Sequence, residues 1–111
     1  MLNEIERIAI EDALKYYKEQ GYSLLSDKKQ GCDLVFTKDG KEWFVEVKGR
    51  TRKWEFTNFS QKEAELFNTE PNFILHEVVI DKETKKVKER FIRTRKDVVR
   101  EEPLGLKIYF K

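Results

Sequence analysis

The stretch GCDLVFTKDGKEWFVEVKGR combines two acids, Asp33 and Glu46, with a lysine, Lys48, where strands usually carry apolar residues. Two carboxylates suit a hard cation such as Mg²⁺ or Mn²⁺, because Mg²⁺ binds proteins through one or two carboxylates and keeps waters for substrate oxygens. A lysine beside that cation can orient or deprotonate a water and neutralise charge on a phosphate. The pattern therefore indicates a divalent-cation site for phosphodiester chemistry. A solvated polar face with an ordinary Glu–Lys ion pair is the alternative interpretation.

The turn residues Asp39 and Gly40 predict how these side chains meet. With the turn centred there, Asp33 lies directly opposite Glu46, and opposed residues project to one side of a sheet with Cβ atoms about 5 Å apart. Lys48 follows on that same side, since strand side chains alternate. The other side of the hairpin is predicted to be apolar, with Leu34, Phe36, Trp43, Val45 and Val47.

The first helix offers a further carboxylate. Helical spacing of apolar residues predicts a helix over residues 2–20, capped by Asn3 and stopped by Gly21. Glu6 lies at the centre of its apolar stripe, where a carboxylate is costly unless it is paired, protonated or held by a metal. Glu6 is therefore expected to meet the hairpin acids if this helix packs across their face of the sheet. Alternatively, Glu6 reaches solvent near the helix start, where the helix dipole favours an acid.

The remaining pattern predicts one α/β domain over residues 1–111, with helices flanking a central, mainly four-stranded mixed sheet. Strands are predicted over residues 22–26, 32–37 and 42–48, and a capping box of Ser60 and Glu63 opens a second helix. The segment NFILHEVVI reads as a buried strand that contains the lone His76, followed by a further antiparallel strand and a closing strand.

The net charge is only +2, but the charged residues are distributed unevenly along the sequence. Arg50, Arg52 and Lys53 directly follow the lysine strand and are predicted to contact phosphates of nucleic acid. Residues 85–100 carry eight Lys or Arg and two acids, which fits a phosphate-binding or an ion-paired surface equally. Trp54 either stacks on an unpaired base or covers the core.

The single cysteine, Cys32, excludes an intramolecular disulfide and a cysteine-based zinc site. No apolar run approaches the length of a signal sequence or a membrane span. These features predict a cytoplasmic protein without a membrane partner.

Together, the Glu6 helix, the segment GCDLVF and the segment FVEVKGR resemble the PD-(D/E)xK nuclease superfamily, whose members share a restriction-endonuclease-like core. With the Glu63 helix and the strand FILHEVV, they are similar to the small domain at the C-terminus of the plant NO VEIN protein and in restriction-associated prokaryotic proteins. More distantly they resemble archaeal Holliday-junction resolvases and Mrr-type restriction enzymes. The resemblance covers about residues 4–80, and Cys32 stands where the motif name has proline.

The resemblance implies a residue-by-residue assignment. Asp33 and Glu46 would be metal ligands, with the Val47 carbonyl as a candidate third. Lys48 would be the catalytic lysine, and Glu6 the helix acid that completes the site. Products with 5′-phosphate are implied as well.

These observations lead to the hypothesis of a metal-dependent endonuclease that hydrolyses duplex, single-stranded or branched DNA in defence, repair or recombination. A chain of this size would span a duplex symmetrically as a homodimer. Two alternatives stay open: a non-catalytic nucleic-acid-binding or assembly module that retains the nuclease fold, and a partner-recruiting domain whose hairpin acids are only a solvated charge cluster.

Overall fold

The computed structural model describes residues 3–26, 32–102 and 105–111. In chain order the elements of these residues are α1 (Glu4–Glu19), β1 (Ser23–Ser26), β2 (Leu34–Lys38), β3 (Lys41–Arg50), β4 (Phe56–Asn58), α2 (Gln61–Thr69), β5 (Phe73–Ile80), β6 (Val87–Arg93), a 3₁₀ turn (Arg95–Asp97), β7 (Val98–Glu101) and β8 (Lys107–Phe110). The predicted elements are all present, and the short strands β4 and β7 were not predicted. Leu2 at the predicted helix start and the predicted loop at residues 27–31 lie outside the described residues. No helix in the described part of the chain is long and apolar enough to cross a membrane.

Five strands form a mixed sheet in the order β1-β2-β3-β5-β6. Neighbouring strands are antiparallel except β3 and β5, which are parallel and are joined by a crossover through β4 and α2. A second, three-stranded sheet has the order β4-β8-β7. The predicted mixed α/β class is confirmed. The main sheet has five strands rather than the expected four, since β1 adds an edge strand beside β2.

The hairpin of β2 and β3 has the predicted register, with Val35 opposite Phe44. Its turn residues Asp39 and Gly40 both have positive φ, 53° and 77°. Glycine adopts this conformation without steric cost, and aspartate tolerates it better than most residues. The alternation of side chains along β3 is therefore fixed by a local turn.

The helix α1 packs closely on one face of the main sheet. The Asn3 side chain caps it by accepting a hydrogen bond from the Glu6 amide. At Gly49 of β3 the approach is so close that a Cβ would lie 2.9 Å from both the Ala9 Cβ and the Ile5 carbonyl oxygen. Glycine is thus required where α1 crosses β3. The buried residues of this core are Ala9, Ala13, Tyr17, Leu34, Phe36, Val45, Val47, Ile74, Val78 and Ile80.

The opposite face of the sheet is covered by α2 and the three-stranded sheet. The predicted capping box is present, because Ser60 and Glu63 each bind the backbone amide of the other. Just before it, the Phe59 amide donates to the Leu106 carbonyl at 2.7 Å, which ties the start of α2 to the segment leading into β8. This second core contains Cys32, Val35, Phe44, Phe59, Ala64, Phe67, Phe73, Leu75 and Ile108.

His76 is fully buried in β5 and is bonded on both ring nitrogens, to the Tyr17 hydroxyl at 3.2 Å and to Asp12 Oδ2 at 2.8 Å. Arg90 binds the same Asp12 carboxylate. Burial lowers the pKa of His76, against the opposing effect of Asp12. His76 is therefore a satisfied sheet residue, as the sequence indicated.

Candidate functional site

The edge of β3 is open beyond Val45, because its hairpin partner β2 begins at Leu34. Asp33 continues this edge. Its amide donates to the Val45 carbonyl at 3.2 Å, and its Oδ2 accepts from the Val47 amide at 2.9 Å. Since the N–H and C=O of one strand residue point to the same side, the Val47 carbonyl also faces this edge. The aspartate and a backbone carbonyl thus lie at the point where the ladder ends.

A pocket of about 300 Å³ lies at this edge. It is bordered by all four residues that the sequence nominated for chemistry, Glu6, Asp33, Glu46 and Lys48. Val47, Gly49, Ala9 and Ile10 complete its lining. We call it the acidic pocket.

Glu6 lies at the acidic pocket, but α1 does not pack on the face of the sheet where the sequence analysis expected it. The helix α1 covers the face opposite Glu46 and Lys48, so it does not pack across the acidic face. Glu6 is exposed, and its carboxylate accepts a hydrogen bond from the Asn3 amide group at 2.9 Å. Of the two alternatives for Glu6, the structure shows the one in which the residue reaches solvent near the helix start. The residue lies in the first turn of α1 and lines the acidic pocket from the α1 side of the open edge of β3.

Glu46 is almost completely buried, with 4% of its surface exposed. Burial, a hydrogen bond to Glu63 and the charge of Asp33 raise the pKa of Glu46 to about 9. Burial acts to raise the pKa of Glu63 too, but hydrogen bonds from Glu46, the Ser60 amide and Lys48 hold it below its ordinary value. Without a cation, these opposite shifts favour a proton on Glu46 and the negative charge on Glu63.

Lys48 lies between these two acids. Its Nζ is 3.4 Å from Glu46 Oε2 and 3.4 Å from Glu63 Oε1, and 24% of its side chain is exposed. The sequence assigned Glu63 only to the capping box and missed its contact with Lys48. The capping signal is local, whereas the contact depends on how α2 lies over the sheet. No sequence pattern within α2 predicts where the helix lies on the sheet.

The donor set of the acidic pocket fits a hard cation. Within the described ranges, no three His, Cys, Asp or Glu side chains form a group that could hold a metal ion. A cation here would be bound by the carboxylates of Asp33 and Glu46 and by the Val47 carbonyl, with water or substrate oxygens completing its shell. That is how Mg²⁺ is usually held. Binding would also compensate the buried Glu46 carboxylate, which has a high cost of ionisation.

Arg50, one of the residues predicted to contact phosphate, is already engaged. Its Nε lies 2.8 Å from Oε2 of the buried Glu77, and its guanidinium is 3.4 Å from the Thr57 hydroxyl. Arg93 approaches the other oxygen of Glu77 at 3.4 Å. The charge of Arg50 is thus compensated within the fold, and its contact with a phosphate stays a prediction.

Arg52 and Lys53 are exposed and retain accessible charges. The Arg52 guanidinium lies 5.5 Å from the centre of a Trp54 ring, and Lys53 Nζ lies 5.1 Å from the centre of the Phe91 ring. These two residues are therefore better placed than Arg50 to meet a polyanion. Trp54 itself is partly exposed at 36%.

The basic segment at residues 85–100 is extensively ion-paired. Its pairs are Lys85–Glu4, Arg90–Asp12, Arg93–Glu77, Arg95–Glu101 and Arg100–Glu102. Of the two interpretations of this segment, these pairs favour an ion-paired surface.

Comparison with known protein families places the chain in one of them. The family model described as Protein NO VEIN, C-terminal, matches residues 5–96. No curated protein and no solved structure is significantly similar to the chain. The matched range includes every residue of the acidic pocket and most of the described fold. The chain therefore belongs to the family of the Protein NO VEIN C-terminal domain.

Proposed function

We propose that this domain is a metal-dependent endonuclease of the PD-(D/E)xK type, with a restriction-endonuclease-like core, that hydrolyses DNA phosphodiester bonds in the cytoplasm. The observation that carries the proposal is the convergence of Glu6, Asp33, Glu46 and Lys48 on one pocket at an open strand edge. Two carboxylates and a lysine at such an edge are the groups that metal-assisted phosphoryl chemistry requires.

In this mechanism Asp33, Glu46 and the Val47 carbonyl would hold Mg²⁺ or Mn²⁺. The cation, when bound, supplies a Lewis acid that lowers the pKa of a water and polarises a phosphoryl oxygen. Binding requires Glu46 to lose its proton. Asp33 is kept in place by the Val47 amide, so its second oxygen stays available to the pocket.

Lys48 acts on the phosphate. Its ammonium is held at the pocket by Glu46 and Glu63, with a quarter of the side chain open to solvent. From there it stabilises the negative charge that develops on the phosphoryl oxygens. Glu6 borders the pocket from the side of α1, where it can accept a hydrogen bond from a water or bind a second cation.

DNA is the proposed partner. Arg52 and Lys53 follow β3 directly and provide exposed positive charge for its phosphates. Since the chain is small, we propose that it acts on a duplex as a homodimer.

The test is cleavage of labelled duplex, single-stranded, flap and four-way-junction DNA in Mg²⁺ and in Mn²⁺. Glu46→Gln and Lys48→Ala are each expected to lower the cleavage rate by about 10²-fold or more, because the first removes an anionic metal ligand and the second removes the cation that stabilises the transition-state charge. Glu65→Gln and Lys62→Ala are matched controls on the exposed surface of α2 and should cleave like the wild type. Absence of cleavage of every substrate by the wild type would refute the proposal, as would unchanged cleavage by both site variants.

A second candidate is a non-catalytic nucleic-acid-binding module. It is favoured by the internal compensation of the site, where a proton on Glu46 and the Lys48–Glu63 contact balance the charges without a cation. Salt-dependent binding of DNA without cleavage, with no effect of divalent cations on binding, is the result that this candidate predicts.

A further inference from the structure

A second pocket, of about 340 Å³, combines aromatic rings with positive charges. We call it the aromatic pocket. Its lining includes Trp54, Phe91, Tyr109, Lys53, Arg93 and one acid, Glu55. Its volume falls in the range of sites for small organic groups, which begins at about 300 Å³. Rings beside cations are the combination that binds the flat face of a base and its phosphate together.

Lys48 of the acidic pocket and Phe91 of the aromatic pocket project to the same face of the main sheet. Lys48 is paired with Glu77 across β3 and β5, and Glu77 is paired with Phe91 across β5 and β6. Directly paired residues project to one face. Because neighbouring strands are about 4.8 Å apart, Phe91 lies roughly 10 Å from Lys48.

Trp54 provides the stacking surface. Its ring packs edge-to-face on Phe56 with a centroid separation of 5.6 Å, which fixes its orientation while 36% of the residue stays exposed. The guanidinium groups of Arg50 and Arg52 lie over the Trp54 ring, 5.1 and 5.5 Å from its centre, and of these two cations Arg52 is the exposed one, since Arg50 is paired with Glu77. An oriented, exposed indole beside cations attracts an electron-rich ring that carries a negative phosphate. A base inside a duplex is already stacked on both faces and cannot enter such a pocket.

We propose that the aromatic pocket binds an unpaired nucleobase of the strand whose phosphate lies in the acidic pocket. The proposal rests on the proposed nuclease function and adds a substrate class, DNA with an unpaired segment at the cleavage point. Base binding is nevertheless measurable on its own, without a cation and without cleavage.

The experiment uses the fluorescence of Trp54. Trp43→Phe leaves Trp54 as the remaining tryptophan of the two, and the indole N–H of Trp43 has no hydrogen-bond partner, so Phe should replace it at small cost. This variant is titrated in EDTA with a short single strand, a strand of equal length built from stable abasic analogues, a blunt duplex, and poly-glutamate. We expect saturable quenching by the single strand and little quenching by the other three.

In parallel, anisotropy measures the binding of the labelled single strand. Trp54→Ala is expected to weaken this binding about 5- to 150-fold, the usual effect of removing one stacking ring. Trp43→Phe is the matched control and should bind like the wild type. Equal quenching by the abasic strand, equal quenching by poly-glutamate, or unchanged affinity of Trp54→Ala would each overturn the proposal.

The two proposals fail separately. If cleavage depends on divalent cations and is lost in Glu46→Gln, but Trp54 is not quenched, base binding in the aromatic pocket is overturned and the nuclease function is supported. If the single strand quenches Trp54 but no substrate is cleaved, base binding in the aromatic pocket is supported and the nuclease function is overturned.

Discussion

Replacing Glu46 with glutamine is expected to stabilise the fold when no divalent cation is present. The pKa of Glu46 rises from 4.5 to about 9 on folding, because the carboxyl is buried beside Glu63 and Asp33. Between these values the unfolded chain has released a proton that the folded protein keeps. Stability from this group is therefore complete below about pH 4.5 and is lost as pH rises toward 9. Glutamine cannot ionise, and its amide can still donate to Glu63.

The size of the effect follows from the same shift. In the unfolded chain the pKa of this carboxyl is about 2.5 units below pH 7, and each unit corresponds to about 1.36 kcal/mol. The cost of keeping the proton on Glu46 in the folded protein at pH 7 is therefore about 3 kcal/mol. The lowered pKa of Glu63 has the opposite effect on the free energy of unfolding and offsets part of this cost. We expect Glu46→Gln to raise the free energy of unfolding by about 1–3 kcal/mol at pH 7, and by much less at pH 5.

Urea denaturation in EDTA at several pH values between 5 and 8 measures the difference. Glu65→Gln, on the exposed side of α2, is the matched control and should show no such gain. Adding Mg²⁺ should stabilise the wild type more than Glu46→Gln, since the cation binds the folded carboxylate. A destabilised Glu46→Gln at pH 7, or a gain that does not change with pH, would refute the assignment of the proton to Glu46.

Two further substitutions test the packing around the site. Gly49→Ala places a Cβ 2.9 Å from the Ala9 Cβ and from a backbone oxygen of α1, so the helix must move away from β3. We expect a loss of about 1–3 kcal/mol in urea denaturation, and a loss below about 0.5 kcal/mol would contradict so close a contact. Glu77→Leu leaves the guanidinium groups of Arg50 and Arg93 without their shared carboxylate in the interior. The expected loss is about 3–5 kcal/mol, and an almost unchanged midpoint would mean that both arginines reach solvent instead.

The parts of this structure that the sequence predicted are those with local causes. The turn at Asp39 and Gly40 sets the hairpin register as far as Leu34 opposite Val45, and Asp33 and Glu46, which follow directly, line the same pocket. The Asn3 cap and the capping box of α2 are likewise formed by residues three positions apart. Each of these signals is contained in one turn or one helix end, and the hairpin register and both caps were confirmed.

The failures concern how elements meet. Helical periodicity tells which side of α1 faces the protein, but not where along its axis the sheet ends. Glu6 lies in the first turn, where it is exposed, so the sequence left open whether it meets the sheet or solvent, and solvent is the outcome. Arg50 was read as free because its partner Glu77 lies far away in sequence, on the strand that becomes parallel to β3 only after the crossover. The same crossover brings Glu63 to Lys48.

The pairing of β4 with β8 has a consequence for the position of Glu63. These strands are separated by roughly half of the chain, yet β8 and the Leu106 carbonyl hold the residues that start α2, the helix that carries Glu63. The hairpin with Asp33, Glu46 and Lys48 is formed by local contacts, whereas the helix that brings Glu63 to Lys48 is held at its start by contacts with β8. Residues beyond the range of the family match thus help to position Glu63 beside Lys48.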